Sequence, residues 1–400
     1  MATFIFENMT QDDAAGLTAG ENTIQFFDTT VSAIDVGVSA AAGTSLTSAS
    51  TTLTVNGKAL IFPSNALIGA DLIFGDKSSL ILGDGGVNTL AGTDGDDVIY
   101  GLGGGDGIDG GAGHDYVFGG VGNDTIVGGL GNDHLYGNSN VSDVGVTDGN
   151  DVISGGAGND YIQGNVGTDS LDGGLGDDVI RGGQDADTIN GGGGNDVVNG
   201  NLGNDVIHGN EGNDILRGGQ NNDLITGDEG NDIIYGDLGA DTILGGVGLD
   251  VLFGGDGADV FSFAAGDAAV GAGTLANVVD IIADFVDGED KILLPQVLSE
   301  SEEGADDAVD AVVLTDNSGT SFGTLIAARN YAQQLLNTYD AGTGTDHAVA
   351  ALEFGGHTYL FSHEGAAGST VIDTVIKVEN VAASAFDATD FAAGGVAVPV

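Results

Sequence analysis

The sequence predicts an all-β protein: a parallel β-roll of about ten coils, flanked by β-rich capping segments, with one amphipathic helix in the C-terminal part. Three observations carry this. Asp recurs every nine residues from Asp97 to Asp259, 74 of the 400 residues are Gly, and 61 acidic side chains face only 7 basic ones, a formal net charge of -54. The proposed organisation is an N-terminal capping or anchoring segment, 1–82, a repeat region, 83–262, and a C-terminal β-rich domain, 263–400.

Such acidity excludes a phosphate-tracking surface, so neither nucleic acid nor an anionic membrane is expected as partner. Cations are the natural counterpart. The absence of Cys removes disulfides, thiolate metal sites and thiol nucleophiles together. The opening MATFIFENMT has no basic n-region followed by an apolar stretch, and no run of eighteen apolar residues occurs anywhere. No classical signal peptide and no membrane insertion are expected.

Residues 1–82 are rich in Ser, Thr and Ala and contain strand-like runs such as TTLTVNGKALIF. Leu72 and Ile81 continue the apolar register of the repeats, so this segment is expected to stack on the first coil and cover its edge.

Twenty nonads, written GGxGxDxUx with U apolar, cover 83–262. Position six is Asp in eighteen, position one Gly in nineteen, position four Gly in seventeen, and position eight is apolar in all twenty. Glycines at one, two and four suit a tight turn, because they accept positive φ and close backbone approach. Positions seven to nine, rich in Val, Ile, Thr and Tyr, suit a short strand with its middle residue turned inward. Two nonads then complete a coil, and two parallel sheets share the position-eight core.

Aspartates eighteen residues apart fall on one edge, about one strand spacing (~4.8 Å) from each other. Charges of one sign that close repel unless a hard cation lies between them, with backbone carbonyls completing an oxygen shell. Calcium fits this role. The ligands expected are Asp97, Asp106, Asp115, Asp124, Asp133, Asp151, Asp160, Asp169, Asp178, Asp187, Asp196, Asp205, Asp214, Asp223, Asp232, Asp241, Asp250 and Asp259. Carbonyls of turn residues would assist them, such as those of Gly110, Gly113, Gly119, Gly122, Gly128, Gly131, Gly155, Gly158, Gly173, Gly176, Gly191 and Gly194. On an eighteen-residue pairing, the pairs involving Asn88 or Ser142 lack one carboxylate, which leaves about fifteen complete sites of up to eighteen.

These nonads resemble the RTX (repeats-in-toxin) calcium-binding β-roll. Departures at Asn140, Ser142, Val146, Asp185 and Asn221 put the neighbouring sites in doubt. The segment DIIADFVDGEDKILL, Asp280 to Leu294, resembles the C-terminal domain of RTX proteins exported by type I secretion, and 373–392 resembles their closing motif. That resemblance implies an uncleaved C-terminal export signal, the type I secretion apparatus as a partner, and a secreted, extracellular or cell-surface location. Residues 1–82 bear a weaker resemblance to leader segments of surface-layer and other secreted RTX proteins of Gram-negative bacteria.

In the tail, Leu325, Ala328, Ala332 and Leu335 share one face of a helix expected over 324–336, a hairpin is expected around Gly355-Gly356, and 299–310 reads as an acidic loop. Within the roll, Tyr100, Phe118 and Tyr136 should form an outward ladder beside Val98, Tyr116 and His134, whereas Ser154, Asp172, Asn190, His208 and Thr226 follow at position nine. Exposed aromatics in a row mark a contact surface, met either by residues 1–82 or by a neighbouring molecule.

Catalysis finds little support. No HExxH occurs, the histidines lack ligand spacing, and the single GxSxG around Ser321 has too short a chain after it for a hydrolase fold. The expected function is a calcium-binding protein without enzymatic activity that folds outside the cell as a structural surface-layer-like or matrix component, through self-association. An adhesin or module binding cell-surface polysaccharide is the alternative, and a serine hydrolase a remote one.

Overall fold

The computed structural model describes residues 78–138, 149–263, 280–286, 289–293 and 374–382, residue 332, and strands elsewhere. The chain divides into two compact units, Met1–Gly193 and Gly194–Val400. About ten turns of all-β parallel solenoid are divided between them.

In the first unit one sheet holds Leu80–Leu82, Val98–Gly103, Tyr116–Val121, His134–Tyr136, Tyr161–Val166 and Val179–Gln184, each paired in parallel with the next. The other holds Thr89–Ala91, Gly107–Ala112, Thr125–Leu130, Val152–Ala157, Ser170–Leu175 and Thr188–Gly193. Position-eight side chains fill the space between, and Ile99, Ile108, Val117, Ile126, Leu135, Ile153 and Ile162 are all buried. Most strands are six residues long and run on through positions one to three of the following nonad.

The second unit repeats this arrangement and then departs from it. Val197–Leu202, Ile215–Gln220, Ile233–Leu238 and Val251–Asp256 pair in parallel, as do Val206–Glu211, Leu224–Gly230, Thr242–Leu244 and Val260–Ser262. Parallel pairing does not stop at residue 262, where the nonads end. Asp280–Ile282 pairs with Val251–Asp256, and Lys291–Leu293 with Val260–Ser262. Thr374–Val378 adds in parallel to Asp280–Ile282, and antiparallel strands Ala348–Phe354 and His357–Ser362 follow, with Phe354 opposite His357, the pairing expected of the hairpin.

Several expectations need correction. Positive φ occurs at positions two and four and not at position one: Gly111 and Gly113 have φ of 104° and 123°, whereas no position-one glycine does. Position one is Gly for space, since a Cβ on Gly110 would lie 2.5 Å from the Gly128 carbonyl oxygen and 2.6 Å from Asp115 Oδ2. Asp185 and Asn221 keep the turn despite replacing Gly, with φ of 71° and 79°, a region that Asp and Asn tolerate best among residues with a side chain. Ile81 does pair with Ile99, but Leu72 lies in a separate three-stranded parallel sheet opposite Ile24. Of the helix expected over 324–336 only Ala332 is among the described residues, where it is helical and buried. Residues 299–310 and 319–323 lie outside the described ones.

The aromatic ladder forms, with a different continuation. Tyr100, Phe118 and Tyr136 stack at 4.8 and 4.9 Å between centroids, and Tyr116 stacks on His134 at 4.4 Å. Beyond them stand Gln163 and Tyr161, not Ser154, which belongs to the other sheet. The Arg181 guanidinium covers the Tyr161 ring at 5.5 Å. These rings are half-buried, and neighbours within the column cover most of their faces.

Candidate metal centre

Each position-six residue sits where the turn ends and the strand begins, and parallel pairing stacks these positions into a column on either edge. Every position-six Asp from Asp97 to Asp259 is buried, none more than 3% exposed. One carboxylate oxygen has an internal partner. Asp115 Oδ1 accepts the Asp97 N–H at 2.7 Å, Asp133 Oδ1 that of Asp115 at 2.8 Å, and Asp232 Oδ1 that of Asp214 at 2.8 Å. The sequence reading missed this bond, which ties each carboxylate to the neighbouring coil before any metal is considered.

The other oxygen is different. Oδ2 of Asp106, Asp115, Asp133, Asp160, Asp214, Asp223, Asp232, Asp241 and Asp259 is buried and accepts no hydrogen bond. An ionised oxygen left so in the interior is costly. Burial accordingly pushes the Asp115 and Asp232 carboxyls up to about 7, Asp223 to about 8, and Asp160, Asp214, Asp241 and Asp259 to about 6. Neighbouring carboxylates of the ladder add to the rise at Asp115 and Asp223.

Orphaned anionic oxygens spaced one per coil are what a cation would satisfy. Among the described residues no three His, Cys, Asp or Glu side chains converge into a cage. The donors available beside each Oδ2 are therefore the partner rung and the backbone carbonyls of the turns, an all-oxygen set that suits a hard ion such as Ca²⁺. When bound, the ion would neutralise the rung and tie adjacent coils together.

The ladder departs from the eighteen-residue rule at one place. Asp124 N–H donates to Asp151 Oδ1 at 2.8 Å and Asp133 N–H to Asp160 Oδ1 at 2.7 Å, steps of 27 residues. The pairing steps over one nonad's length between Gly137 and Gly149, and Asp151 Oδ2 stands against Gly137 as Asp133 Oδ2 stands against Gly128. Ser142 lies outside the described residues, and where pairs lacking a carboxylate were expected beside Asp124 and Asp160, each of these has an Asp partner. In the second unit the ladder gains rungs that the nonad pattern lacks. Asp250 N–H donates to Asp280 Oδ1 and Asp259 N–H to Asp290 Oδ1, both at 3.1 Å, while Asp284 accepts the N–H groups of Gly254 and Gly255 at 2.8 and 3.0 Å.

A second column runs beside the first at position five. Asp96 Oδ1 accepts the His114 N–H at 2.8 Å, His114 Nδ1 that of Asn132 at 2.7 Å, and Asn132 Oδ1 that of Asn159 at 3.0 Å. In the second unit Asn195, Asn213 and Asn231 do the same. The recurring Gly-Asn-Asp of the sequence was its visible sign. His114 thus serves the turn and does not merely face solvent.

A family model for the RTX calcium-binding nonapeptide repeat matches residues 82–117, 118–140, 146–180, 172–207, 208–243 and 235–268. These are RTX calcium-binding repeats. The unmatched residues 141–145 fall inside the segment that the pairing steps over, and the rungs at Asp280 and Asp290 lie beyond the last RTX match. RTX repeats are typical of secreted proteins, and among the described residues no helix is long and apolar enough to cross a membrane. Two solved structures are similar in part. The AlgE6R3 subunit of the Azotobacter vinelandii mannuronan C5-epimerase is 26% identical over 47% of this chain and 82% of its own, with a TM-score of 0.28. The AlgE6R2 subunit of that enzyme is 25% identical over 46% and 92%, with a TM-score of 0.25. No curated protein matches the chain.

Proposed function

We propose that the chain is a secreted, non-enzymatic structural component of the cell surface or extracellular matrix whose fold is gated by calcium. The observation that carries the reading is the column of buried carboxylates with an unpartnered oxygen, set in a chain of net charge -54. Without cations self-repulsion and the buried oxygens oppose a marginal core, so the chain stays expanded where calcium is scarce. External calcium then drives folding by mass action. The likeness of 280–294 and 373–392 to type I export domains supports a route out of the cell in the unfolded state.

Assembly is supported by apolar side chains left in water. Leu130 and Leu175, at position three of their nonads, are 62% and 67% exposed, and Val152 is 52% exposed. Recurring exposed aliphatics suit contact between copies. Sugar stacking has less to offer, because the aromatic rings cover one another. Electron microscopy of the purified full chain tests the reading: sheets or filaments are expected in calcium and none in EGTA. Dispersed particles in both would count against the structural role, and covalent labelling by a fluorophosphonate would contradict its non-enzymatic character.

A further inference from the structure

The first coil is built differently from the turns that hold Asp106, Asp115 and Asp133. Asp97, unlike the next rungs, has every oxygen occupied by the protein. Its Oδ2 accepts both the N–H and the hydroxyl of Thr93, at 2.5 and 3.0 Å, and its Oδ1 accepts the Ser79 N–H at 2.6 Å. On the opposite edge the first rung is the neutral Asn88. Its Oδ1 accepts the Asp84 N–H at 2.7 Å and its Nδ2 donates to Asp84 Oδ1 at 3.3 Å.

The backbone explains the contrast. Asp84 and Thr93 hold position two of the first two nonads, and neither has positive φ, whereas Leu102, Gly111, Gly120 and Gly129 at the same position have φ of 76°, 104°, 115° and 112°. With ordinary φ the N–H groups of Asp84 and Thr93 reach the Asn88 and Asp97 side chains. In the left-handed turns Oδ2 of Asp106, Asp115 and Asp133 is left without a donor. Two donors on Asp97 Oδ2 fill the directions in which that oxygen would otherwise meet a cation. Asp290, in the second unit, shares the amide (Val286 N–H, 2.8 Å) but has no hydroxyl.

We propose that the first coil closes without metal: Thr93 and Ser79 hold Asp97 in place of a calcium ion. Asp97 is then a structural rung and not a ligand, contrary to the expectation from the repeat pattern. The roll would begin at a metal-free cap that presents a formed edge to the first calcium-bound coil. The inference rests on the calcium-ladder reading, and two variants separate the fates of the two ideas. Native mass spectrometry of the full chain in saturating calcium counts bound ions one by one. Asp97→Asn should bind as many as the unaltered chain, and Asp115→Asn at least one fewer. Loss of an ion in D97N overturns the cap, and an unchanged count in D115N overturns the ladder on which it depends. Thr93→Val, which removes only the hydroxyl, should leave the ion count unchanged and speed hydrogen exchange at the amides of residues 79 and 93 about tenfold, the loss of one charge-assisted bond. Exchange as slow as in the unaltered chain would also overturn the cap.

Discussion

Two columns run side by side through the roll and meet burial in opposite ways. At position eight Ile99, Val117, Leu135 and Ile162 are apolar and need nothing beyond one another. Two residues earlier Asp97, Asp115, Asp133 and Asp160 are as deeply buried, yet from Asp106 onward the ladder includes oxygens with no donor. The apolar column makes the fold possible and the acidic one makes it conditional. A hydrophobic core alone would give a roll that folds with or without calcium.

The largest effect should come from removing the cation. In excess EGTA at neutral pH most of the far-UV β-sheet signal should vanish, and a spectrum unchanged from that in calcium would erase the distinction between the columns. Truncating the apolar column is the second test. Ile162→Ala should cost about 2–5 kcal/mol in calcium, read by denaturant unfolding, with the number of bound ions unchanged.

Acidity should divide the columns next. The carboxyls of Asp115 and Asp223 are raised by burial to about 7 and about 8 in the metal-free fold, against an ordinary value near 3.8. Between these limits the folded state holds more protons than the unfolded one, so metal-free stability should fall as pH rises from about 4 to about 8. Circular dichroism in EGTA should show more sheet at pH 5 than at pH 8, and the calcium needed for half-folding should fall as pH falls, while the folded roll's own affinity for calcium weakens because protons compete for the same oxygens. The smallest effect belongs to the outer face. Phe118→Leu should lose about 1 kcal/mol of ring stacking without altering calcium dependence.

Much of this was legible in the residues. A nine-residue period with Asp at six and an aliphatic at eight specifies turn, strand, core and ladder together, since each follows from residue type and spacing. What escaped had physical causes. The pairing steps over nine residues after Gly137, which preserves the phase of every later Asp, so the departures at Asn140, Ser142 and Val146 were read as weakened sites and not as a skipped nonad. The rungs at Asp280 and Asp290 follow Asp250 and Asp259 by 30 and 31 residues, spacings that no nonad search contains. The Asp97 N–H bond to Asp115 and its Thr93 clasp depend on backbone direction, and the consensus letter at position six is the same whether a rung is filled by a hydroxyl or by a metal.

The most direct test is diffraction from crystals grown in calcium, with data collected to bring out the anomalous signal of the ion. The account predicts a peak within bonding distance (~2.3–2.6 Å) of Oδ2 on Asp115, Asp133, Asp160, Asp214, Asp223, Asp232 and Asp241. Rungs without peaks at saturating calcium, or carboxylates turned out to solvent, would contradict it.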